Sequence, residues 1–251
     1  MKKAWIRFIG DVHGGYRPNR AIYNRLTTQA EYSLQVGDLG RDYGHLHRPV
    51  IDSLKHRVIA GNHENFDEFV NFDQRNKCYW RNQKHFLGDF GMWHIPDFYD
   101  IFYVRGGFSL NHVQKKIYRT WSEEEELSYS KLSQAIDLYT SLKPEFMVSH
   151  ECPIELVQFL SNPNFTKLFG YDTPIIKTKT NTALQAMFEA HKPKYWIFGH
   201  YHKRWEKEID GCKFICLDMI RETNYKNCYI DFDKVQTEDD YTPHWDLGGE
   251  G

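Results

Sequence analysis

No apolar run in the 251-residue chain approaches the ~20 residues that a membrane-spanning helix needs. The N-terminus, MKKAWIRFIG, offers two lysines but only a five-residue apolar stretch that Arg7 interrupts. That is shorter than the core of a secretory signal, about 7–15 residues. Paired cysteines are missing as well. Cys78, Cys152, Cys212, Cys216 and Cys228 are odd in number and contain no C-x-x-C spacing, which predicts reduced core thiols. Nor does one sign of charge dominate: 32 basic side chains meet 34 acidic ones, for a net −2. This balance excludes a general pull toward nucleic acid or anionic membrane, and leaves nucleic acid open only as a substrate in a local groove. Together these absences predict a cytoplasmic protein without a membrane partner. What the chain does have is a core: 41% of its residues are apolar and 16% aromatic.

The first 60 residues alternate between strand and helix patterns. AWIRFI (4–9) predicts a strand, 18–31 a helix opened by Pro18 with Ile22 and Leu26 on one face, and YSLQV (32–36) a second strand. A helix at 47–55 and a strand RVIA (57–60) follow. Parallel βαβ units produce this order, and their ligands gather beyond the carboxyl ends of the strands. Residues 77–120 predict a pair of strands. Ser122 and the acids behind it predict the N-terminus of a helix that Pro144 ends. EFMVSH (145–150) predicts a strand, 161–180 an irregular loop able to cover a site, 181–191 a helix, and YWIFGHYH (195–202) another strand. RWEKEI, KFICLDMI and CYIDF predict an antiparallel set. With no repeat and no linker, residues 1–235 are expected to form a single domain, and 236–251 a loose acidic tail.

Polar residues collect where these strands stop. Five strand ends carry Asp11 and His13, Asp38, Asn62 and His63, His150, and His200 and His202. In GDVHGGY the aspartate and histidine stand two positions apart, and on a strand such residues point the same way. Carboxylates and imidazoles aimed at one point suggest a metal. Mixed nitrogen and oxygen donors suit Mn, Fe, Zn or Co better than an all-oxygen Mg or Ca site.

In their order GDVHG, GDLGRD, GNHE, VSHE and GHYH, over residues 10–202, these motifs resemble those of the calcineurin-like metallophosphoesterases. GDVHGGY and GNHE look most like the branch holding the serine/threonine protein phosphatases and the lambda phage phosphatase. The resemblance implies an α/β fold, an αββα sandwich of two mixed β-sheets flanked by helices with a dimetal site at the strand ends. It implies a metal-dependent phosphoesterase with two divalent or trivalent transition-metal ions, manganese foremost. By the same resemblance Asp11, His13 and His202 would hold one ion, Asn62, His150 and His200 the other, and Asp38 would bridge them. A hydroxide between the ions would attack phosphorus while His63 protonates the departing oxygen. Asp38 and His63 are then the catalytic candidates, and Asn62 and His63 candidate phosphate contacts. Glu64 is expected to play a supporting role, and Gly199 to serve a turn alone.

The pattern departs from that branch at GDLGRDYG, where Arg41 and Asp42 stand in the reverse of the family order. Neither carries over by position, though Asp42 stays a candidate for orienting His63. The stretch GGFSLNHVQKKIYRTWSEEEELS resembles small bacterial and phage metallophosphoesterases, with Asn111 where an aspartate is usual. Within it Arg119, and just before it Arg105, are candidate phosphate contacts; an ordinary surface arginine is the alternative for each. The aromatics of 98–108, or Phe165, Phe169 and Tyr171, could stack a base or could pack a core. The expected substrate is a small phosphorylated molecule, a (deoxy)nucleotide monophosphate among the candidates, hydrolysed as a monoester. A phosphodiesterase or nuclease using Lys115, Lys116, Arg119, Lys177 or Lys179, a protein phosphatase, and an inactive metal-binding scaffold are the alternatives.

Overall fold

In the computed structural model the described residues are 5–14, 17–40, 54–64, 66, 85–118, 120–223 and 225–233. Arg41, Asp42, Cys78, Arg119, the tail at 236–251 and most of the expected helix at 47–55 lie outside them. Among the described residues ten strands form two sheets. The first holds β1 (Trp5–Ile9), β2 (Tyr32–Gln35), β3 (His56–Val58) and β10 (Tyr229–Asp233), in the order β10-β1-β2-β3. The second holds β4 (Phe90–Trp93), β5 (Ile101–Val104), β6 (Phe146–Ser149), β7 (Tyr195–Phe198), β8 (Trp205–Ile209) and β9 (Cys212–Cys216), in the order β4-β5-β6-β7-β9-β8. β1, β2 and β3 run parallel, as do β5, β6, β7 and β9, so each sheet sends several carboxyl ends the same way.

Side-chain alternation then builds three apolar layers. Ile6, Phe8, Leu34 and Phe232 face Phe146, Val148, Ile197 and Ile215 between the sheets. The opposite faces meet helices. Ile9 and Val58 pack with Tyr23 and Leu26 of α1 (Arg17–Thr28). Met147, Trp196, Phe198 and Phe214 pack under α3 (Tyr129–Leu142), α4 (Ile154–Leu160) and α6 (Lys179–Ala190). Two short helices, α2 (His112–Ile117) and α5 (Pro163–Leu168), flank them. The architecture is therefore the αββα sandwich of two mixed sheets. Among the described residues no helix is long and apolar enough to cross a membrane.

Three details differ from the sequence expectation. The helix expected from Ser122 starts at Tyr129: Ser122 caps only a single 3₁₀ turn, Glu123–Glu125, and Ser128 caps α3. The glutamate run is spent on tertiary contacts instead, Glu125 on Lys115 and Glu126 on the backbone and hydroxyl of Thr180. The stretch 161–180 is not all loop, since Asn162 caps α5 with Pro163 in its first turn. The last three strands do not form one antiparallel set. β9 lies parallel to β7, and β10 crosses to pair with β1, where Ile230 and Phe232 enter the layer between the sheets.

Candidate metal centre

The strand ends converge by backbone turns and not by strand alternation. β1 stops at Ile9, and His13 has a φ of 48°, in the left-handed region. Asp38, His200 and His202 share that region, at 59°, 70° and 50°. A non-glycine residue held there costs on the order of 1–3 kcal/mol. Fixed partners impose it. The Asp38 carbonyl accepts from the backbone N–H groups of Val12 and His13 at 2.9 and 3.0 Å, and His200 N donates to the Asp11 carboxylate at 3.2 Å. Glu64, buried, accepts from the N–H groups of Leu39 at 2.8 Å and Gly40 at 3.3 Å and so anchors the turn that carries Asp38. Gly199 does more than serve a turn, which corrects the expectation for it. A Cβ there would lie 2.2 Å from Asp11 Oδ1, and one at Gly61 would lie 2.2 Å from Asp38 Oδ1.

Two groups of donors result. Donor atoms of Asp11, His13, Asp38 and His202 all lie within 4.8 Å of one another. His13 Nε2 and His202 Nε2 are 3.0 Å apart, and His202 Nε2 is 3.1 Å from Asp11 Oδ2. Beside them, Asn62 Oδ1 is 2.9 Å from His150 Nε2 and 3.0 Å from His200 Nδ1, which stand 3.3 Å from each other. The Asp38 carboxylate faces both groups: Oδ1 is 3.3 Å from His150 Nε2, and Oδ2 is 3.9 Å from His13 Nε2.

This arrangement fits cations. His150 Nδ1 lies 3.0 Å from the Val36 carbonyl and donates to it, which aims Nε2 at two oxygens, Asp38 Oδ1 and Asn62 Oδ1. Carboxylate and amide oxygens buried together at one point call for positive charge. Burial would lower the His150 pKa, yet the Asp38 carboxylate lifts it to about 9. Burial pushes Asp11 and Asp38 up, but the surrounding histidines outweigh it and hold both below the usual carboxylate range. His200 is pulled down to about 3 by burial and then by the neighbouring His150. His63 also falls, to about 4, through burial and the charge of Lys115 against the opposing pull of Asp38.

The Asn62 carboxamide has a fixed orientation. Its Nδ2 donates to Ser109 Oγ at 2.8 Å, which turns Oδ1 toward His150 and His200. Ser109 Oγ also accepts from Lys115 Nζ at 2.8 Å. Lys115 is 6% exposed and reaches Glu125 and the Asn62 carbonyl as well. Sequence reading had no signal for this network beyond listing Lys115 as an available cation; its charge is instead sealed inside.

The centre opens into a cleft of about 570 Å³ in which Asp38, Asn62, His63, His200 and His202 meet Phe108, α4, α5 and Arg221. His63 sits beside His13, ring centroids 5.2 Å apart. Arg105 does not join them. At 1% exposure its guanidinium is bonded to the Asp89 carboxylate and to the carbonyl and carboxylate of Glu124, which corrects its expected phosphate contact. Arg119 and Asp42 lie outside the described residues. The aromatics Phe98, Phe102 and Tyr103 are core residues, whereas Phe108, Phe165 and Phe169 line the cleft. Arg221 had no motif to mark it.

The family model for calcineurin-like phosphoesterases matches residues 4–204. The chain belongs to this family. Its fold is similar to that of a dimetal phosphatase from Danio rerio, with 13% identity, a TM-score of 0.53 and 91% of each chain covered. A phosphopantetheinyl hydrolase from Mycobacterium tuberculosis is similar at 12% identity and a TM-score of 0.44, over 86% of this chain and 90% of that one. No curated protein matches the chain. The chain is accordingly a metal-dependent phosphoesterase, and Asp11, His13, Asp38 and His202 form a cluster that could hold a metal ion.

Proposed function

We propose that this phosphoesterase hydrolyses phosphate monoesters of small molecules, nucleotides among them, at a two-ion centre. Asp11, His13 and His202 would hold one ion and Asn62, His150 and His200 the other, with Asp38 shared. The carrying observation is the Asp38 carboxylate, whose two oxygens face the two groups at 3.3 and 3.9 Å. The mixed donors favour manganese, with iron, zinc and cobalt as alternatives. When bound, such ions supply Lewis-acid charge to the phosphoryl oxygens and lower the pKa of water toward ~7.

His63 supplies the proton. A ring with a pKa of about 4 is neutral at pH 7, and a phosphate dianion seated beside it would draw it toward the protonated form. It then donates to the leaving oxygen as the ester bond breaks. The cleft disfavours a nucleic-acid diester, whose flanking phosphates call for further cations. Arg221 is the one lysine or arginine among the described lining residues. Of the other candidates, Lys115 is sealed in its ion pair, Lys116 sits over Trp121, Lys179 lies near Glu126, Lys177 is exposed between the lining residues Ile176 and Thr178, and Arg119 lies outside the described residues.

His63→Ala tests the acid. In manganese-loaded protein, turnover of an alkyl phosphate should fall about 10²–10⁴-fold. p-Nitrophenyl phosphate, whose leaving group needs no proton, should lose much less, with metal content unchanged. Equal losses on both would remove His63 as the acid. A wild-type preference for bis-p-nitrophenyl phosphate would overturn the monoester reading.

A further inference from the structure

The far wall of the cleft is aromatic and uncharged. Phe165 and Phe169 stand four residues apart at α5, so they share one face, and their rings meet edge to face at 5.0 Å. Phe165 is 52% exposed, and neither ring belongs to the three core layers. Phe108, beside His112 at 5.1 Å, and Ile176 line the same space. The acid on this side, Glu151, is 2% exposed and bonded to Thr178 and Asn181, so it presents no free charge. A volume of about 570 Å³ is far more than a phosphoryl group fills and is typical of sites for whole small molecules.

We propose that this wall is a leaving-group pocket for a planar aromatic ring of nucleobase size, which stacks on Phe165 and Phe169 while the phosphoryl group lies at the metal centre. The inference rests on the monoesterase reading and names its substrate class, a nucleoside-type phosphate monoester. Continuity with the metal centre argues for it, since one cavity holds both the donor histidines and the exposed rings. Charge argues for it too. Apart from Arg221 at its edge, the described wall would meet a second phosphate with aromatic and amide groups. Such a surface recognises a neutral ring, and Asn162 on the same wall can hydrogen-bond its edge.

The test compares deoxyadenosine 5′-monophosphate with glycerol 2-phosphate in manganese-loaded wild type, Phe165→Ala, the Phe165→Ala/Phe169→Ala double variant and Phe165→Tyr. Base stacking of ordinary strength predicts a KM rise of roughly 5- to 100-fold for the nucleotide in the alanine variants. Glycerol 2-phosphate should be unaffected, and Phe165→Tyr should keep the nucleotide KM. Adenosine, which lacks the phosphate, should bind the wild type by calorimetry and fail to bind the double variant. Equal losses on both substrates, or none on either, would overturn the pocket while glycerol 2-phosphate turnover keeps the monoesterase reading standing. Preference for a phosphotyrosine peptide over the nucleotide would overturn the nucleoside-type occupant. Absence of all monoester turnover would sink the monoesterase reading, and adenosine binding would then still decide the pocket.

Discussion

Ser109→Ala should loosen one metal position and spare the other. The hydroxyl is buried and accepts from Asn62 Nδ2 and Lys115 Nζ, both at 2.8 Å. Alanine leaves both donors without that acceptor. Lys115 keeps Glu125 and the Asn62 carbonyl, so the larger loss falls on the amide. A buried amide left unpaired costs about 1–3 kcal/mol. In a chain of this size each kcal/mol lowers Tm by about 2–4 °C, so the fall should be roughly 2–12 °C. The amide is then free to rotate and present Nδ2, a positive end, toward His150 and His200. Loss of such a supporting bond weakens metal affinity about 10–100-fold. Calorimetric titration with Mn²⁺ should therefore show one weakened site of two, and Ser109→Thr, which keeps the hydroxyl, should restore it. Wild-type affinity at both positions, or equal weakening of both, would refute the reasoning.

Gly199→Ala should disturb the other position. Its methyl would fall 2.2 Å from Asp11 Oδ1 and displace the carboxylate that His200 N and His202 Nε2 contact, so binding of the ion proposed for Asp11, His13 and His202 should be lost while circular dichroism stays near wild type. Full occupancy of both positions would show that the close approach is tolerated. A third expectation concerns alkaline pH. Burial raises the thiols of Cys152, Cys212, Cys216 and Cys228, the last to about 12, so unfolded thiols ionise first and the folded state keeps the extra protons. Stability is then fully present below the unfolded thiol pKa. It should fall by about 1.4 kcal/mol per pH unit per thiol as pH rises past ~9 toward the folded values. Urea midpoints at pH 8 and 10 check this, and equal midpoints would contradict it.

The residues that gather at the candidate site were legible in the sequence, and the reason is local. Each donor motif is a few consecutive residues at the end of an apolar strand, so residue type and position are read together. The left-handed turns at His13, Asp38, His200 and His202 were not legible, because Asp and His tolerate a positive φ more often than other side chains but adopt it in only a minority of positions. The Asn62 network joins side chains from residues 62, 109, 115 and 125 through tertiary packing alone. The start of α3 was misplaced for the same kind of reason. Ser122 has the chemistry of a cap, but the partners that consume Glu125 and Glu126, Lys115 and Thr180, come from elsewhere in the chain. β10 leaves its neighbours because Ile230 and Phe232 fill the layer between the sheets, a demand that local pattern does not express.

The strained turns also explain why the site needs the whole sandwich. Four proposed ligands sit in the left-handed region, at about 1–3 kcal/mol each, or roughly 4–12 kcal/mol together. That is the order of a domain's entire net stability, about 5–15 kcal/mol. The other three are fixed through their side chains: Asp11 by His200 N, Asn62 by Ser109, and His150 by the Val36 carbonyl. None of the seven can relax without breaking a named contact. All seven follow strands: Asp11, His13, Asp38 and Asn62 come after β1, β2 and β3 of one sheet, and His150, His200 and His202 come after β6 and β7 of the other. The centre therefore exists only while Phe8, Phe146 and Phe232 hold the sheets face to face, with ring centroids 5.5 to 6.4 Å apart. A single βαβ unit carrying GDVHG and GDLG would have three of the seven donors and too little buried surface to keep even those in place.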